Sequence, residues 1–230
     1  MIDAILFDKD GTLFDFHKSW GAWARQLLAD LTVDEAHAAR LAAAIGYLPE
    51  EGRFLPGSLV IAGTPSEITA AMLPELPGWS AGQLEARINE VAAKARMVEA
   101  VPLVPLFEAF RARGLKLAIV TNDAEAPARA HVAAHNLGGL VDFVAGYDSG
   151  HGAKPGPGML NAFLRAEGLD PARVLMVGDS LHDLEAGRAA GTRRVAVLTG
   201  VAKAASLAPH ADVVLENIGE IPAWIDSLSA

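Results

Sequence analysis

A four-residue apolar run, Ala-Ile-Leu-Phe at positions 4 to 7, ends abruptly in Asp8-Lys9-Asp10-Gly11-Thr12, and no comparable run follows until after residue 115. A short, wholly apolar segment of this kind reads as a strand buried on both faces, so its partners must come from far along the chain. The candidates are Lys116 to Val120, Val174 to Val177, Arg194 to Leu198 and Val213 to Leu215. Helical patterns alternate with them: Leu106 to Arg113 before Gly114, Ala124 to His135, Gly158 to Glu167 before Gly168, and Leu184 to Ala190 before Gly191. Glycine stands where a left-handed helix cap is wanted. Alternating strands and helices imply a parallel sheet with both faces covered.

The stretch between the first strand and the rest differs in kind. Thr32 with Glu35, Thr64 with Pro65 and Glu67, and Ser80 with Gln83 each fit a capping box ahead of an Ala/Leu-rich segment. No strand series accompanies them. The expectation is an α/β protein: a Rossmann-like parallel-sheet core from residues 1–15 and 101–230, with an α-helical cap inserted at 16–100. Within the insertion, Leu48 to Gly63 contains Pro49, Gly52, Pro56 and Gly57 and reads as a loop facing the site.

Composition removes several function classes. With 19 basic against 28 acidic residues the net charge is −9, which opposes a sequence-independent nucleic-acid surface. There is no cysteine, so disulfides, thiolate metal sites and thiol nucleophiles are excluded; this is compatible with a reducing compartment, and the expected location is cytoplasmic. The first residues lack the basic-then-apolar order of a signal peptide. No apolar stretch reaches the roughly 20 residues a membrane span needs.

In an open parallel sheet, ligands bind at the carboxyl ends of the strands. Three of the expected strands end there in polar clusters: Asp8 to Thr12, Thr121-Asn122-Asp123, and Gly178-Asp179-Ser180 with Asp183 beyond. Lys154 lies in a glycine-rich loop before Pro155. Asp8, Asp10 and Asp179 around one point repel by about 4 kcal/mol per close pair at an effective dielectric of ~20, which a divalent cation relieves. All-oxygen donors suit Mg²⁺, an ion that commonly takes a substrate phosphate into its remaining positions. The chemistry this allows is hydrolysis of a phosphate monoester. Asp8 attacks phosphorus, and Asp10 protonates the leaving oxygen and then activates water. Thr121 and Asn122 donate to the phosphate oxygens, Lys154 adds positive charge, and Asp179 holds the metal.

Taken in order, Asp8-Lys9-Asp10-Gly11-Thr12-Leu13, Thr121, Lys154 and Gly178-Asp179-Ser180-Leu181-His182-Asp183 resemble the four motifs of the haloacid dehalogenase superfamily of phosphohydrolases. The resemblance covers essentially the whole chain. It implies that the Asp8 carboxylate, the Asp10 backbone carbonyl and the Asp179 carboxylate bind Mg²⁺, and that Asp183 supports the site without ligating. A helical insertion after the first motif implies the cap of phosphoglycolate-phosphatase-like members, and hence a small phosphorylated metabolite such as phosphoglycolate. An acid at Asp10 separates this chain from the dehalogenase branch, whose leaving halide needs no proton. Lys18 and Lys94, the lysines of the insertion, lack the motif of phosphonate-cleaving members. The sugar phosphomutase branch shares both acids and stays open. Lys9 is unusual, because an apolar residue is more common there in the family.

Other features read as structural: Asp123 as a turn and helix N-cap residue, Asp15 without a further role, His131 and His135 as a solvated helix face, and Trp20, Trp23 and Trp79 as core of the insertion, with contact between one of them and substrate the alternative. Arg53, Ser58 and Thr64 are candidates for contacting the non-phosphate end of the substrate. A phosphoacceptor signalling domain also uses acids, Mg²⁺, Thr and Lys. Such domains are about half this length, however, and carry the acceptor on a middle strand. A binding-only member of the same fold is the remaining alternative.

Overall fold

The computed structural model describes residues 2–228 and places the first strand, β1 (Ala4–Phe7), at the centre of a sheet built almost entirely from the second half of the chain. The remaining strands are the short pair β2 (Tyr47–Leu48) and β3 (Arg53–Phe54), then β4 (Lys116–Val120), β5 (Phe143–Ala145), β6 (Val174–Gly178), β7 (Arg193–Val197) and β8 (Val213–Leu215). The order β5-β4-β1-β6-β7-β8 gives one six-stranded sheet, parallel throughout. β5 has no counterpart in the sequence reading. It is three residues long at the sheet edge, too short for a strand pattern to stand out.

Helices α1 (Phe16–Leu31), α2 (Glu35–Ala44), α3 (Leu59–Ala62), α4 (Pro65–Met72) and α5 (Ala81–Ala93) fill the insertion. They contribute no strand to the main sheet; β2 and β3 pair only with each other. α6 (Leu103–Ala112), α7 (Glu125–Ala134), α8 (Gly158–Glu167), α9 (Leu181–Ala190), α10 (Ala204–Leu207) and α11 (Ile221–Ser227) follow. α6 begins earlier than its periodicity suggested, since Pro105 lies in the first turn, where a missing N–H costs nothing.

Alternate residues of β1 serve opposite faces. Phe7 stacks on Phe107 of α6 and meets Phe110 at a tilt, with ring centroids 5.2 and 5.9 Å away. Leu6 packs in the other layer with Met176 and Phe163 of α8. Both faces are therefore dry, which is why the run has no polar residue.

Capping explains most helix boundaries. Thr64 with Glu67 and Ser80 with Gln83 form reciprocal capping boxes at α4 and α5, as expected. The Thr32–Glu35 box does not form. Asp34 caps α2 through the His37 N–H, while Thr32 donates its hydroxyl to the Leu28 carbonyl at the end of α1. An Asp one residue before the helix reaches the free amides better than a Thr three before it. Asp15 caps α1, accepting from the Lys18 N–H.

The two connections between insertion and sheet run side by side. Asp15 N–H donates to the Val98 carbonyl at 2.8 Å, and Ala100 N–H to the Leu13 carbonyl at 2.9 Å. No helix among the described residues is long and apolar enough to cross a membrane.

Candidate active site

The sheet register brings the motifs together. Phe7 is level with Ile119 on β4 and Val177 on β6, so Asp8 leaves the sheet level with Val120 and Gly178, and Thr121 and Asp179 follow one residue further on at the same edge, where β1 lies between its two crossover partners. Asp8, Thr121 and Asp179 arrive there by backbone geometry alone. All three are buried, with 6%, 1% and 3% exposure.

Lys154 is the hub. Its Nζ donates to Asp8 Oδ1 and Asp183 Oδ1, each at 2.6 Å, and to the Val120 carbonyl at 2.9 Å, using all three ammonium hydrogens. Asp183 turns its other oxygen to the Ser180 N–H and hydroxyl at the start of α9. It is thus both a helix-capping acid and a partner of Lys154. Ligand atoms of Asp8, Asp179 and Asp183 lie within 4.8 Å of one another. One buried ammonium faces three buried carboxylates, and every available donor atom is oxygen. The Asp10 carbonyl accepts no hydrogen bond from any described residue. This arrangement fits a hard divalent ion.

The electrostatics follow from that crowding. Burial, and then the Asp183 and Asp10 charges, push the Asp8 carboxyl up to about 7 against the pull of Lys154. Burial followed by Asp8 and Asp183 holds Asp179 well above the usual carboxylate range. Burial works against the Lys154 charge, but Asp183 and Asp8 outweigh it and raise its pKa. A carboxyl with a raised pKa retains its proton in the folded state after the unfolded chain has lost it. Its contribution to stability is full below the unfolded value near 3.8 and lost as pH rises through about 7. In a chelator, melting temperature is therefore expected to fall as pH rises from about 5 to 8. Added Mg²⁺ should reverse the fall; a flat profile in the chelator would contradict this electrostatic account.

Asp10 is held apart from this cluster. Its carboxylate accepts from Trp20 Nε1 on α1 at 2.9 Å and pairs with Lys9 Nζ at 2.7 Å. Lys9 is fully buried and also pairs with Asp123 at 3.0 Å and contacts His131 Nδ1 at 3.2 Å, with the Trp20 ring 5.1 Å away. His131 Nε2 lies 2.8 Å from the Ala92 carbonyl. A carbonyl only accepts, so Nε2 carries the hydrogen and Nδ1 accepts from Lys9. Burial and then Lys9 depress the His131 pKa to about 4, keeping the ring neutral.

His131 is therefore not on a solvated face; it is 1% exposed. His135 pairs with Glu99 at 2.8 Å. The unusual Lys9 explains the departure, because its ammonium needs a third acceptor beyond the two carboxylates.

Thr121 Oγ1 accepts from the Asp123 N–H, leaving its own hydroxyl hydrogen to donate. The Asn122 side chain is differently employed from the sequence reading. Its Nδ2 donates to the carbonyls of Ala62 and Lys154, at 2.8 and 3.0 Å, and its Oδ1 accepts from Lys154 N–H at 2.8 Å. With both amide hydrogens committed, it clamps the Lys154 loop and ties it to the end of α3. Asp123 does not cap α7; Asp148, from the loop after β5, accepts from the Glu125 N–H. Arg53 pairs with Glu51 at the surface, and Ser58 and Thr64 cap α3 and α4.

Two residues absent from the sequence reading shape the site. Thr199 Oγ1 donates to the Gly11 carbonyl at 2.6 Å. A Cβ on Gly200 would sit 1.6 Å from Asp179 Oδ2 and 2.6 Å from its Cβ, so the whole Asp179 side chain would have to move. Gly11 closes on the same carboxylate at φ +87°. Gly200→Ala is expected to cut turnover about a hundredfold by misplacing Asp179. Kinetics at several Mg²⁺ concentrations would check this, and parent-like turnover would refute it. Gly200 follows the fourth motif by a full strand and helix, so no local pattern marked it.

Above these residues lies a cavity of about 50 Å³, lined from below by Asp8, Asp10, Thr121, Lys154, Asp179 and His182, and roofed by the insertion.

A family model described as haloacid dehalogenase-like hydrolase matches residues 2–191. The chain is 28% identical to the phosphoglycolate phosphatase of Aquifex aeolicus (strain VF5), covering 97% of this chain and 96% of that protein. It is 30% identical to the N-acetylmuramic acid 6-phosphate phosphatase of Pseudomonas putida, over 97% and 96% of the two chains. Among solved structures, CbbY from Rhodobacter sphaeroides in complex with phosphate superposes with a TM-score of 0.72 at 22% identity, covering 96% of each chain. With the motif order, the sheet order and a family match over most of its length in agreement, the chain belongs to the haloacid dehalogenase-like hydrolases.

Proposed function

We propose that this protein is a Mg²⁺-dependent phosphatase that hydrolyses a small phosphate monoester through an aspartyl-phosphate on Asp8. The observation that carries the reading is the buried convergence of Asp8, Asp179 and Asp183 about a single ammonium, Lys154. The relatives' names support it, since both act on small phosphorylated metabolites.

In this reading residues 1–15 and 101–230 are the core and 16–100 the cap. The carboxylates of Asp8 and Asp179 and the Asp10 carbonyl would hold Mg²⁺, which when bound neutralises charge on the phosphate. An Asp8 carboxylate oxygen forms a bond to phosphorus as the ester P–O bond breaks, and the departing alkoxide takes a proton from Asp10. Water then attacks the same phosphorus, giving its proton to the Asp10 carboxylate. Inorganic phosphate leaves and the Asp8 carboxylate is restored.

Lys154 and the Thr121 hydroxyl donate to the phosphate oxygens, and Asp183 holds Lys154 in place. Trp20 makes the role of Asp10 depend on the cap, since its indole reaches that carboxylate only from α1. Cap opening would turn on the paired connections near Asp15 and Val98. The lack of cysteine accords with a cytoplasmic enzyme.

The test is phosphate release from a panel of small monoesters with Mg²⁺ and with a chelator. Turnover is expected with Mg²⁺ and a fall of at least about a hundredfold without it. A folded, Mg²⁺-loaded protein that releases phosphate from none of them would overturn the reading.

A further inference from the structure

The cavity over Asp8 has two unlike walls. Its floor, at the strand ends, carries every charged group. Its roof is formed by Trp20 and Trp23 of α1, Val60 and Ile61 of α3, Ile68 of α4 and Ile88 of α5, with the remainder alanine, glycine or proline. No charged or hydroxyl side chain belongs to the roof. The Trp20 N–H is already given to Asp10, while Trp23 Nε1 is buried without a hydrogen-bond partner. Among neighbouring polar side chains, Arg53 pairs with Glu51, Ser58 donates to the Ile45 carbonyl and Thr64 donates to Glu67.

We infer that the substrate is the phosphate ester of an uncharged, largely apolar alcohol, and not a phosphorylated carboxylic acid or sugar. The inference rests on the phosphatase reading and specifies what that site accepts. A carboxylate on the leaving group would be pressed against a roof that offers it no cation, above a floor already rich in carboxylates. Burying such a charge unpaired is heavily penalised. Each sugar hydroxyl left unpaired on the same wall lowers kcat/KM about tenfold.

The decisive pair of substrates is phosphoglycolate and hydroxyacetone phosphate, which differ by a carboxylate oxygen in place of a methyl group. Phosphate release is measured from both, and from p-nitrophenyl phosphate as a general reporter, with Mg²⁺ present. Hydroxyacetone phosphate is expected to exceed phosphoglycolate in kcat/KM by about a hundredfold or more. Ile61→Lys, at a half-buried position where the long side chain can enter the roof, is expected to narrow that ratio to within about tenfold by pairing the carboxylate. Equal or better use of phosphoglycolate by the parent overturns the inference and leaves the phosphatase reading intact. So does an unchanged ratio in Ile61→Lys protein that melts like the parent. Release from none of the three compounds removes the phosphatase reading itself, and the inference with it.

Discussion

Replacing Asp8 by Asn is expected to lower phosphate release by at least about 10⁴-fold while leaving the protein folded. The amide cannot form the acyl phosphate, and no other carboxylate stands at the end of β1 with the sheet fixing its position. Asp10 does not substitute for it, because its oxygens are held by Lys9 and Trp20. Folding should survive for an electrostatic reason: the change removes one of three crowded carboxylates, and Lys154 keeps Asp183 as its partner. Assayed beside a thermal melt, the variant should be inactive with a melting temperature at or above that of the metal-free parent. Residual turnover above about 1% of the parent would exclude Asp8 as the nucleophile.

Lys154→Met should cost stability as well as activity. The residue is 4% exposed and its ammonium is the cation between Asp8 and Asp183. Without it, three buried carboxylates face one another with no counter-charge, and breaking a buried pair in this way costs about 3–5 kcal/mol. For a chain of this size that corresponds to a melting temperature lower by roughly 10 °C in chelator. The loss should be larger at pH 8 than at pH 5, since Asp8 titrates near 7 and is largely protonated at the lower pH, where less charge needs compensating. Mg²⁺ should restore part of the stability but not the turnover. A melting temperature within about 2 °C of the parent in chelator at pH 8 would show that the cluster is already neutral without Lys154.

Much of this architecture was legible in the chain because it depends on local rules. The all-apolar β1, the glycines after α8 and α9, and the boxes at Thr64 and Ser80 each declare an element within a few residues. The motif acids were equally plain, since each follows its own strand directly. What escaped was decided by contacts distant in sequence. Asp148 reaches back to cap α7, which no pattern at Asp123 could reveal. Asn122 looks like a phosphate donor until Ala62 and Lys154 are seen to take both its hydrogens. His131 looks solvated at its helical spacing until α5 covers it and Lys9 is found against its ring.

The amino-acid sequence by itself determined five of the six strands of the main sheet, the helices between them and the order in which Asp8, Thr121, Lys154 and Asp179 follow one another, because strand and helix patterns are read over a few neighbouring residues. Only the tertiary structure decided which acids share a cation, which are held apart, and what roofs the cavity. Those outcomes turn on distances between segments such as α1 and β1, or Gly200 and Asp179, that pack together only when the sheet and the insertion close on one another.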